Sequence, residues 1–391
     1  MNTVQSTSQP NNLAIHWSEA NKEKFSVWHS ENNAPVPKRV QIADDTIKAD
    51  AAYKLCCEGT ALLWRGDFQN AKLLMQALSR RIDRPHKKAK KAPANMTEAF
   101  HLHRQAQSQK ARILGMLVIE VGVGYNINLR RAPDVKAACE HAYGKSSHSI
   151  IVSLREILGL VGAYEWSKNG VDINVINNKI YPSYGVFSPI RGEYLDLVDV
   201  ASLPKPCTLA FDIGTGTGVL AAILANRGVT KIIATDNSHR ALDCALKNIT
   251  QLDMKNAVKV IEADLFPSAE YGKADLIVCN PPWLPAHPSS ALEAAVYDDK
   301  SKMLKGFING LSAHLNYEGE GWLILSDFAE HLGLRTRDEL LSWIAAAGLK
   351  VIEKIDTKAK HNKTLDASDP LHAARKAEVT SLWRLNKRLN K

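Results

Sequence analysis

Cysteine is scarce in this sequence, with six residues in 391. Cys56 and Cys57 are adjacent, and neither a Cys-x-x-Cys pair nor a His-Glu-x-x-His motif is present, so a disulfide framework and a zinc site are both disfavoured. The apolar run Ile113–Val118 falls well short of the about 20 residues that span a membrane. The polar N-terminus lacks the basic start and apolar core of a secretory signal. We therefore expect a cytoplasmic protein without a metal centre or a membrane span.

The overall composition of the chain is that of a globular protein. Hydrophobic residues make up 45% of the chain and charged residues 23%, and the length suits two domains. The net charge is +9, which permits an RNA, ribosomal or acidic-protein partner without requiring one.

The first half of the chain predicts a polar arm followed by a helical domain. Residues 1–45 are rich in Ser, Asn and Gln and then interrupted by prolines, which predicts a poorly ordered arm. From Thr46 to Ile82 apolar residues recur every three or four positions, as in a helical hairpin, and Met96–Val121 has the pattern of a long helix. Residues 46–169 therefore predict a helical N-terminal domain, which we expect to recognise the substrate.

A basic run interrupts this helical region. Arg80–Lys91 carries seven Lys and Arg residues against one acid. It could contact the phosphates of a nucleic acid. The alternative is a solvated loop between helices, which Pro85 and Pro93 favour. No aromatic residue is interleaved, so stacking on single-stranded bases has no support here.

The pattern becomes extended at Gly170 and then alternates between strands and helices. Residues 170–200 predict a linker with a β-hairpin that turns at Asn177–Asn178. Residues 201–391 predict the α/β class: a Rossmann-like sheet of seven strands, mostly parallel, with the last strand antiparallel. The predicted strands are Thr208–Ile213, Lys231–Thr235, Val258–Glu262, Ala274–Cys279, Gly321–Ser326, Lys350–Asp356 and Glu378–Leu385. The predicted helices are Val219–Arg227, His239–Gln251, Ser301–Leu315 and Arg337–Ala347.

A glycine-rich loop follows the first of these strands. It has the pattern Gly-x-Gly-x-Gly from Gly214 to Gly218, and glycine lets the backbone turn sharply and approach a ligand. Ligands in doubly wound sheets lie at the carboxyl ends of strands. Val219 stands where a dinucleotide fingerprint places its third glycine, and no Gly-Lys-Ser/Thr follows, so neither a dinucleotide nor a Walker loop is favoured. A tight structural turn is the alternative to a cofactor loop.

Acidic residues follow the next two strands. Asp236 ends the second strand, where a carboxylate can accept hydrogen bonds from both ribose hydroxyls of a nucleoside. The same residue can cap the helix that starts near Ser238. Asp264 is expected to accept from the exocyclic amine of adenine, with Leu265 packing on the ring. The alternative for Asp264 is a capping or turn aspartate.

The most specific motif is Asn280-Pro281-Pro282-Trp283, directly after the fourth strand. Two prolines make the loop rigid, and the carbonyls before them are free acceptors. The Asn280 side chain and the Pro281 carbonyl can together accept two N–H bonds from one amide or aromatic amine. Trp283 offers a flat face for stacking on that planar group. Plain loop packing is the alternative.

In this order and spacing, the four motifs resemble those of class I S-adenosylmethionine-dependent methyltransferases. The Asn-Pro-Pro-aromatic motif resembles the N-methyltransferases that act on planar nitrogens, and within these the HemK-type release-factor glutamine methyltransferases. The resemblance covers about Val171 to Leu385. It implies S-adenosyl-L-methionine as the cofactor. The candidate cofactor-binding residues are Asp212, Gly214, Thr215, Gly216, Thr217, Gly218, Asp236, Asp264, Leu265 and Asn280. The candidate catalytic residues are Asn280, Pro281, Pro282 and Trp283.

The sequence also departs from that family. Trp283 stands where the family usually has Tyr or Phe, and Ser188–Glu193 only partly matches its Pro-Arg-Pro-Glu-Thr-Glu segment. The N-terminal half is longer than the family's small helical domain. The predicted acceptor is a glutamine side chain of a release-factor-like protein, and the alternative is the exocyclic amine of an RNA or DNA base, flipped onto Trp283 if it comes from a duplex. A non-catalytic nucleotide-binding module is a third hypothesis, which the complete Asn280–Trp283 motif argues against.

Overall fold

The computed structural model describes residues 14–84, 92–189, 192–288, 291–358 and 366–388. The first thirteen residues of the predicted arm, residues 85–91 of the basic run, and residues 190–191 of the Ser188–Glu193 segment lie outside this description. Contacts divide the chain into two compact units, residues 1–92 with 104–164 and residues 93–103 with 165–391. No helix in the described ranges is long and apolar enough to cross a membrane.

The first unit is built on a six-stranded sheet. Its strands are β1 (Ala14–Glu19), β2 (Lys22–Trp28), β3 (Arg39–Ala43), β4 (Thr60–Trp64), β5 (Leu117–Val121) and β6 (Ile150–Ser153). The helices of this half of the chain are α1 (Ala49–Cys57), α2 (Phe68–Ile82), α3 (Met96–Gly115), α4 (Lys136–Tyr143) and α5 (Leu154–Asn169). The strand order is β1-β2-β6-β5-β4-β3, antiparallel at β1–β2 and β5–β6 and parallel elsewhere.

The structure corrects two predictions for this half of the chain. Residues 14–45 are not a poorly ordered arm, because they contain β1, β2 and β3, and residues 46–169 are not a purely helical domain. The strands β4 and β5 lie inside the segments that were predicted to be helical. All five residues of β4 are buried, and the four after Thr60 form a continuous apolar run rather than an alternating pattern. Such a run cannot be distinguished from a buried helical turn by its period.

The second unit contains the predicted seven-stranded sheet. Its strands are β9 (Leu209–Ile213), β10 (Lys231–Asp236), β11 (Val258–Glu262), β12 (Ala274–Cys279), β13 (Leu315–Ser326), β14 (Leu349–Lys358) and β15 (Val379–Lys387), and a separate hairpin is formed by β7 (Val171–Ile173) and β8 (Asn178–Ile180). The sheet order is β11-β10-β9-β12-β13-β15-β14. Only the two pairs that involve β15 are antiparallel, which confirms the predicted α/β class and the antiparallel last strand.

Helices cover both faces of this sheet. The helices of this unit are α6 (Glu193–Val200), α7 (Val219–Asn226), α8 (His239–Gln251), α9 (Ala291–Ala294), α10 (Lys302–His314), α11 (Phe328–His331), α12 (Arg337–Ala346) and α13 (His372–Ala377). Alternate residues of β9 face opposite sides: Ala210 packs in a cluster with α6 and α7, whereas Phe211 packs in a cluster with α10 and α12. The carboxyl ends of the central strands therefore open at one edge between two helical layers.

Candidate functional site

A cavity of about 860 Å3 lies at the carboxyl ends of β9, β10, β11 and β12. It brings together predicted site residues that follow four different strands. Those that line it are Gly214, Thr215, Gly216, Thr217, Asp236, Asp264, Leu265, Asn280, Pro281, Pro282 and Trp283. Ligand pockets usually have volumes of about 300–1,000 Å3, so the cavity has room for a nucleoside cofactor and part of an acceptor.

Two predicted cofactor-binding residues, Asp212 and Gly218, do not line this cavity. Asp212 is fully buried below the glycine loop, where its Oδ2 accepts hydrogen bonds from Thr215 Oγ1 at 2.6 Å and from the Ala221 amide at 3.1 Å. Gly218 has φ +81°, and a Cβ there would lie 3.3 Å from Ala245 Cα on α8. Both residues support the conformation of the glycine loop from the side that faces away from the cavity. The sequence places a residue at a strand end, but it does not tell which side of the loop the residue faces.

The carboxyl group of Asp212 has an unusual environment. Burial, with a contribution from the nearby Asp236 carboxylate, raises its pKa to about 6, and the hydrogen bonds from Thr215 and Ala221 oppose this rise. Its Oδ1 is buried and accepts no hydrogen bond from the described residues. When ionised, this carboxyl places negative charge behind the glycine loop, which would favour a positively charged group of a cofactor bound in the cavity.

The glycine loop presents its backbone to the cavity. Gly214 has φ +69° and Gly216 has φ +56°, a region that residues with a Cβ rarely adopt. A Cβ on Gly216 would meet no atom within 4 Å, since this residue borders the open cavity. The Gly216 amide donates to Asp236 Oδ2 at 3.0 Å, while Asp236 Oδ1 accepts from the Ser238 amide at 3.0 Å. Asp236 thus holds the glycine loop and the residue before α8, Ser238, and its carboxylate keeps acceptor capacity for ribose hydroxyls.

Asn248 is a supporting residue that sequence reasoning missed. It is buried on α8, and its Nδ2 donates to the carbonyls of Thr217 at 3.0 Å and Tyr181 at 3.2 Å. Its Oδ1 accepts from the Tyr181 amide at 2.8 Å. The side chain therefore ties the glycine loop to the segment that leads to residues 185–187, which line the cavity. The available signal was a polar residue on the otherwise apolar face of α8.

The segment after β11 has one residue at the rim and one in the wall. Asp264 is exposed, whereas Leu265 is half-buried with φ +71°. Thr235 Oγ1 donates to the Leu265 carbonyl at 2.6 Å, which fixes this strained turn against β10. The arrangement suits the predicted contacts, with a polar group at the edge of a planar ring and an apolar side chain on its face.

The Asn280–Trp283 loop is held by internal hydrogen bonds. The indole Nε1 of Trp283 donates to Asn280 Oδ1 at 2.9 Å. The hydroxyl of Tyr194 on α6 also hydrogen-bonds with Asn280, and burial, followed by the charges of Asp212 and Glu193, raises the pKa of this phenol. One lone pair of Asn280 Oδ1 is thus already used, and the second is available for an acceptor. Tyr194 was not predicted, since its partner is distant in the sequence.

The wall beyond this loop is mainly apolar. Leu284 bonds with residues 296 and 298 through its backbone, and the Asp298 carboxylate accepts from the Met303 and Leu304 amides at the start of α10. A buried cluster continues this wall. The members of this cluster that line the cavity are Phe100, Leu284, Val296, Tyr297, Phe328 and Leu371. Arg375 on α13 lines the same cavity.

Residues 177–336 match the family described as the methyltransferase small domain. This segment, less than half of the chain, is similar to a class I methyltransferase domain. Its α/β sheet, the predicted enzyme class and the predicted S-adenosylmethionine cofactor are confirmed for this domain.

Several curated proteins resemble part of the chain. The release factor glutamine methyltransferase of Caulobacter vibrioides is 28% identical over 192 residues, which are 47% of this chain and 66% of that protein. A Methanocaldococcus jannaschii protein, provisionally named a protein N5-glutamine methyltransferase, is 29% identical over 38% of this chain and 75% of its own length. The release factor glutamine methyltransferase of Cereibacter sphaeroides is 37% identical over 27% of this chain and 38% of its own length. The chain thus spans between 38% and 75% of these relatives.

Proposed function

We propose that the protein transfers the methyl group of S-adenosylmethionine to the side-chain amide nitrogen of a glutamine in a protein. The observation that carries the proposal is Asn280, which lines the cavity with its amide held by Trp283 and Tyr194. Relatives whose names specify glutamine methylation support the same acceptor.

The residues of the cavity fit the cofactor. Gly216 lets its adenosyl and amino acid parts approach the backbone, Asp236 would accept from the ribose, and Leu265 would pack against the adenine, with Asp264 at its edge. Asp212 would act indirectly by holding the glycine loop and contributing negative charge behind it. When bound, the cofactor supplies an electrophilic methyl group.

The chain's contribution to the reaction is to orient a weak nucleophile. The lone pair of an amide nitrogen is delocalised into its carbonyl, so the nitrogen must be held in line with the methyl group. The second lone pair of Asn280 Oδ1 and the Pro281 carbonyl would accept the two N–H bonds of the glutamine amide. Fixed acceptors also stabilise the positive charge that develops on nitrogen as the new C–N bond forms and the C–S bond breaks. The amide proton then leaves to solvent, and no strong general base is required.

The acceptor is tested by transferring labelled methyl from S-adenosylmethionine into a cell extract and into a purified bacterial peptide-chain release factor. We expect label that survives nuclease, disappears with protease and is recovered as methylated glutamine. Label lost with nuclease would instead identify a nucleic-acid base as the acceptor. Binding that weakens steeply with salt would agree with that outcome, because phosphate contacts release counterions.

A further inference from the structure

Arg375 is an arginine of the cavity wall that lies outside the segment matching the methyltransferase family. It belongs to α13, close to the apolar cluster beyond Asn280–Trp283. Its guanidinium carbon lies 5.0 Å from the ring centroid of Phe328, another residue of the cavity wall. A permanent positive charge is therefore placed beside the apolar cluster of the cavity wall, which Glu378 and His103 also border.

The guanidinium group is held firmly at one end. Nε donates to Asp369 Oδ2 at 2.7 Å, and Asp369 Oδ1 accepts from the Leu371 amide at 2.8 Å. Burial would raise the pKa of Asp369, but the hydrogen bonds from Leu371 and Arg375 outweigh it and hold this pKa below its usual value. The carboxylate therefore stays ionised and fixes the plane of the guanidinium.

The other end of the group is available. Neither terminal nitrogen of Arg375 bonds to any residue in the described ranges, while the whole side chain is only 16% exposed. A guanidinium in this position presents a planar set of donors, which matches carbonyl and carboxylate oxygens. A ligand oxygen that enters the cavity can pair with these donors, and a hydrogen bond to a charged group is stronger than one between neutral groups.

We propose that Arg375 is a specificity-determining residue that binds a main-chain carbonyl oxygen of the acceptor polypeptide beside the methylated glutamine. The inference rests on the proposed function, because it assumes that the acceptor is a glutamine residue. This role of Arg375 would make the enzyme prefer a glutamine within a polypeptide over an isolated amide, because only the polypeptide has a main-chain carbonyl oxygen for the guanidinium to bind.

The neighbouring segments hold the same wall in place. Thr97 Oγ1 on α3 donates to the Leu332 carbonyl at the end of α11 at 2.8 Å, and Phe100 follows on the next turn of α3. Phe100 and Leu371 both border the cavity from outside the family match. The wall around Arg375 thus combines residues from outside the matched segment with residues inside it, and its position beyond Asn280–Trp283 suits a role in acceptor choice.

The test compares two small acceptors, N-acetylglutamine N-methylamide, which has main-chain carbonyls, and butanamide, which has only the side-chain type of amide. The variants are Arg375→Ala and Arg375→Lys. Arg337→Ala is the matched control, because Arg337 pairs with Glu330 at 2.9 Å and lies 5.1 Å from the Trp383 ring but does not line the cavity.

We expect Arg375→Ala to raise KM for the blocked glutamine about tenfold or more, with a smaller change in kcat and an unchanged affinity for S-adenosylhomocysteine. The rate with butanamide should be unchanged, Arg375→Lys should recover part of the loss, and Arg337→Ala should leave KM as in the wild type. The inference is overturned if Arg375→Ala leaves KM for the blocked glutamine unchanged. It is also overturned if methylation of butanamide is impaired by Arg375→Ala as much as methylation of the blocked glutamine. A wild-type enzyme that methylates nucleic acid and neither glutamine probe nor release factor would overturn the proposed function itself.

Discussion

Trp283 Nε1 donates a hydrogen bond of 2.9 Å to Asn280 Oδ1, three residues earlier in the chain. Phe and Tyr have no ring N–H, so this bond depends on the tryptophan that distinguishes the motif from its usual form. Tyr194 bonds to the same amide from α6. The group proposed to orient the acceptor is therefore fixed from two sides before the acceptor arrives.

Replacing Trp283 with Phe should keep the flat ring and remove this bond. We expect kcat to fall about three- to tenfold, because Asn280 loses one of its two supports, while the affinity for S-adenosylmethionine stays unchanged. Steady-state kinetics and calorimetric binding measure the two effects. Trp343→Phe is the matched control, since Trp343 packs below Lys305 and does not line the cavity. Equal kcat for Trp283→Phe and wild type would show that the bond has no part in turnover.

Asp236→Ala should weaken the binding of the cofactor. The substitution removes the acceptor of the Gly216 amide and the proposed ribose contact, so we expect the dissociation constant for S-adenosylmethionine to rise about tenfold or more. At saturating cofactor, kcat should approach the wild-type value. Isothermal titration with S-adenosylhomocysteine measures the loss. Unchanged affinity would remove Asp236 from the cofactor site.

Gly216 and Gly228 allow a controlled test of backbone access. Both have positive φ, +56° and +91°, and a Cβ on either would meet no atom within 4 Å, but only Gly216 lines the cavity. Each substitution by Ala should cost about 1 kcal/mol of stability through backbone strain. Only Gly216→Ala should also weaken cofactor binding, because its methyl group would project into the cavity. Similar binding by the two variants would contradict the proposed cofactor loop.

Asp212 should make the stability of the fold depend on pH. Its carboxyl has a pKa of about 6, above the ordinary value of 3.8, so the folded state binds a proton more tightly than the unfolded state does. The stabilisation from protonation is therefore present below the ordinary value and is lost as the pH rises through about 6. The free energy of unfolding of the wild type, measured relative to that of Asp212→Asn, should fall by about 2 kcal/mol between pH 4 and pH 7.

Urea unfolding of both variants across this pH range measures the difference, and other titrating groups cancel in the comparison. Parallel stability curves for the wild type and Asp212→Asn would show that the pKa is not raised.

The seven-stranded sheet was predictable because strands and helices alternate along the chain with a clear change of period. Its strand ends also located most of the cavity, since the carboxyl ends of neighbouring parallel strands meet at one edge. The first unit was not predictable in the same way. The strands β4 and β5 are short and mostly buried, with Thr60 and Glu120 as their only polar residues, and their neighbours across the sheet come from distant segments.

The supporting residues of the site depend on contacts that a linear pattern does not reveal. Asn248, Tyr194 and Arg375 lie on three helices, and each has its functional neighbour in another element. Asp212 shows the opposite case: the motif identified the residue, but the three-dimensional arrangement turns its side chain away from the cavity.

The central claim is that Asn280 orients a protein glutamine for methylation, and the most direct test is mass spectrometry of a purified release factor. The factor is incubated with S-adenosylmethionine and either wild-type protein or Asn280→Ala, after cofactor binding by both has been verified. The account predicts one added methyl group on a glutamine with the wild type and a rate about a hundredfold lower with Asn280→Ala. No methylated glutamine with the wild type, or an equal rate with Asn280→Ala, would contradict it.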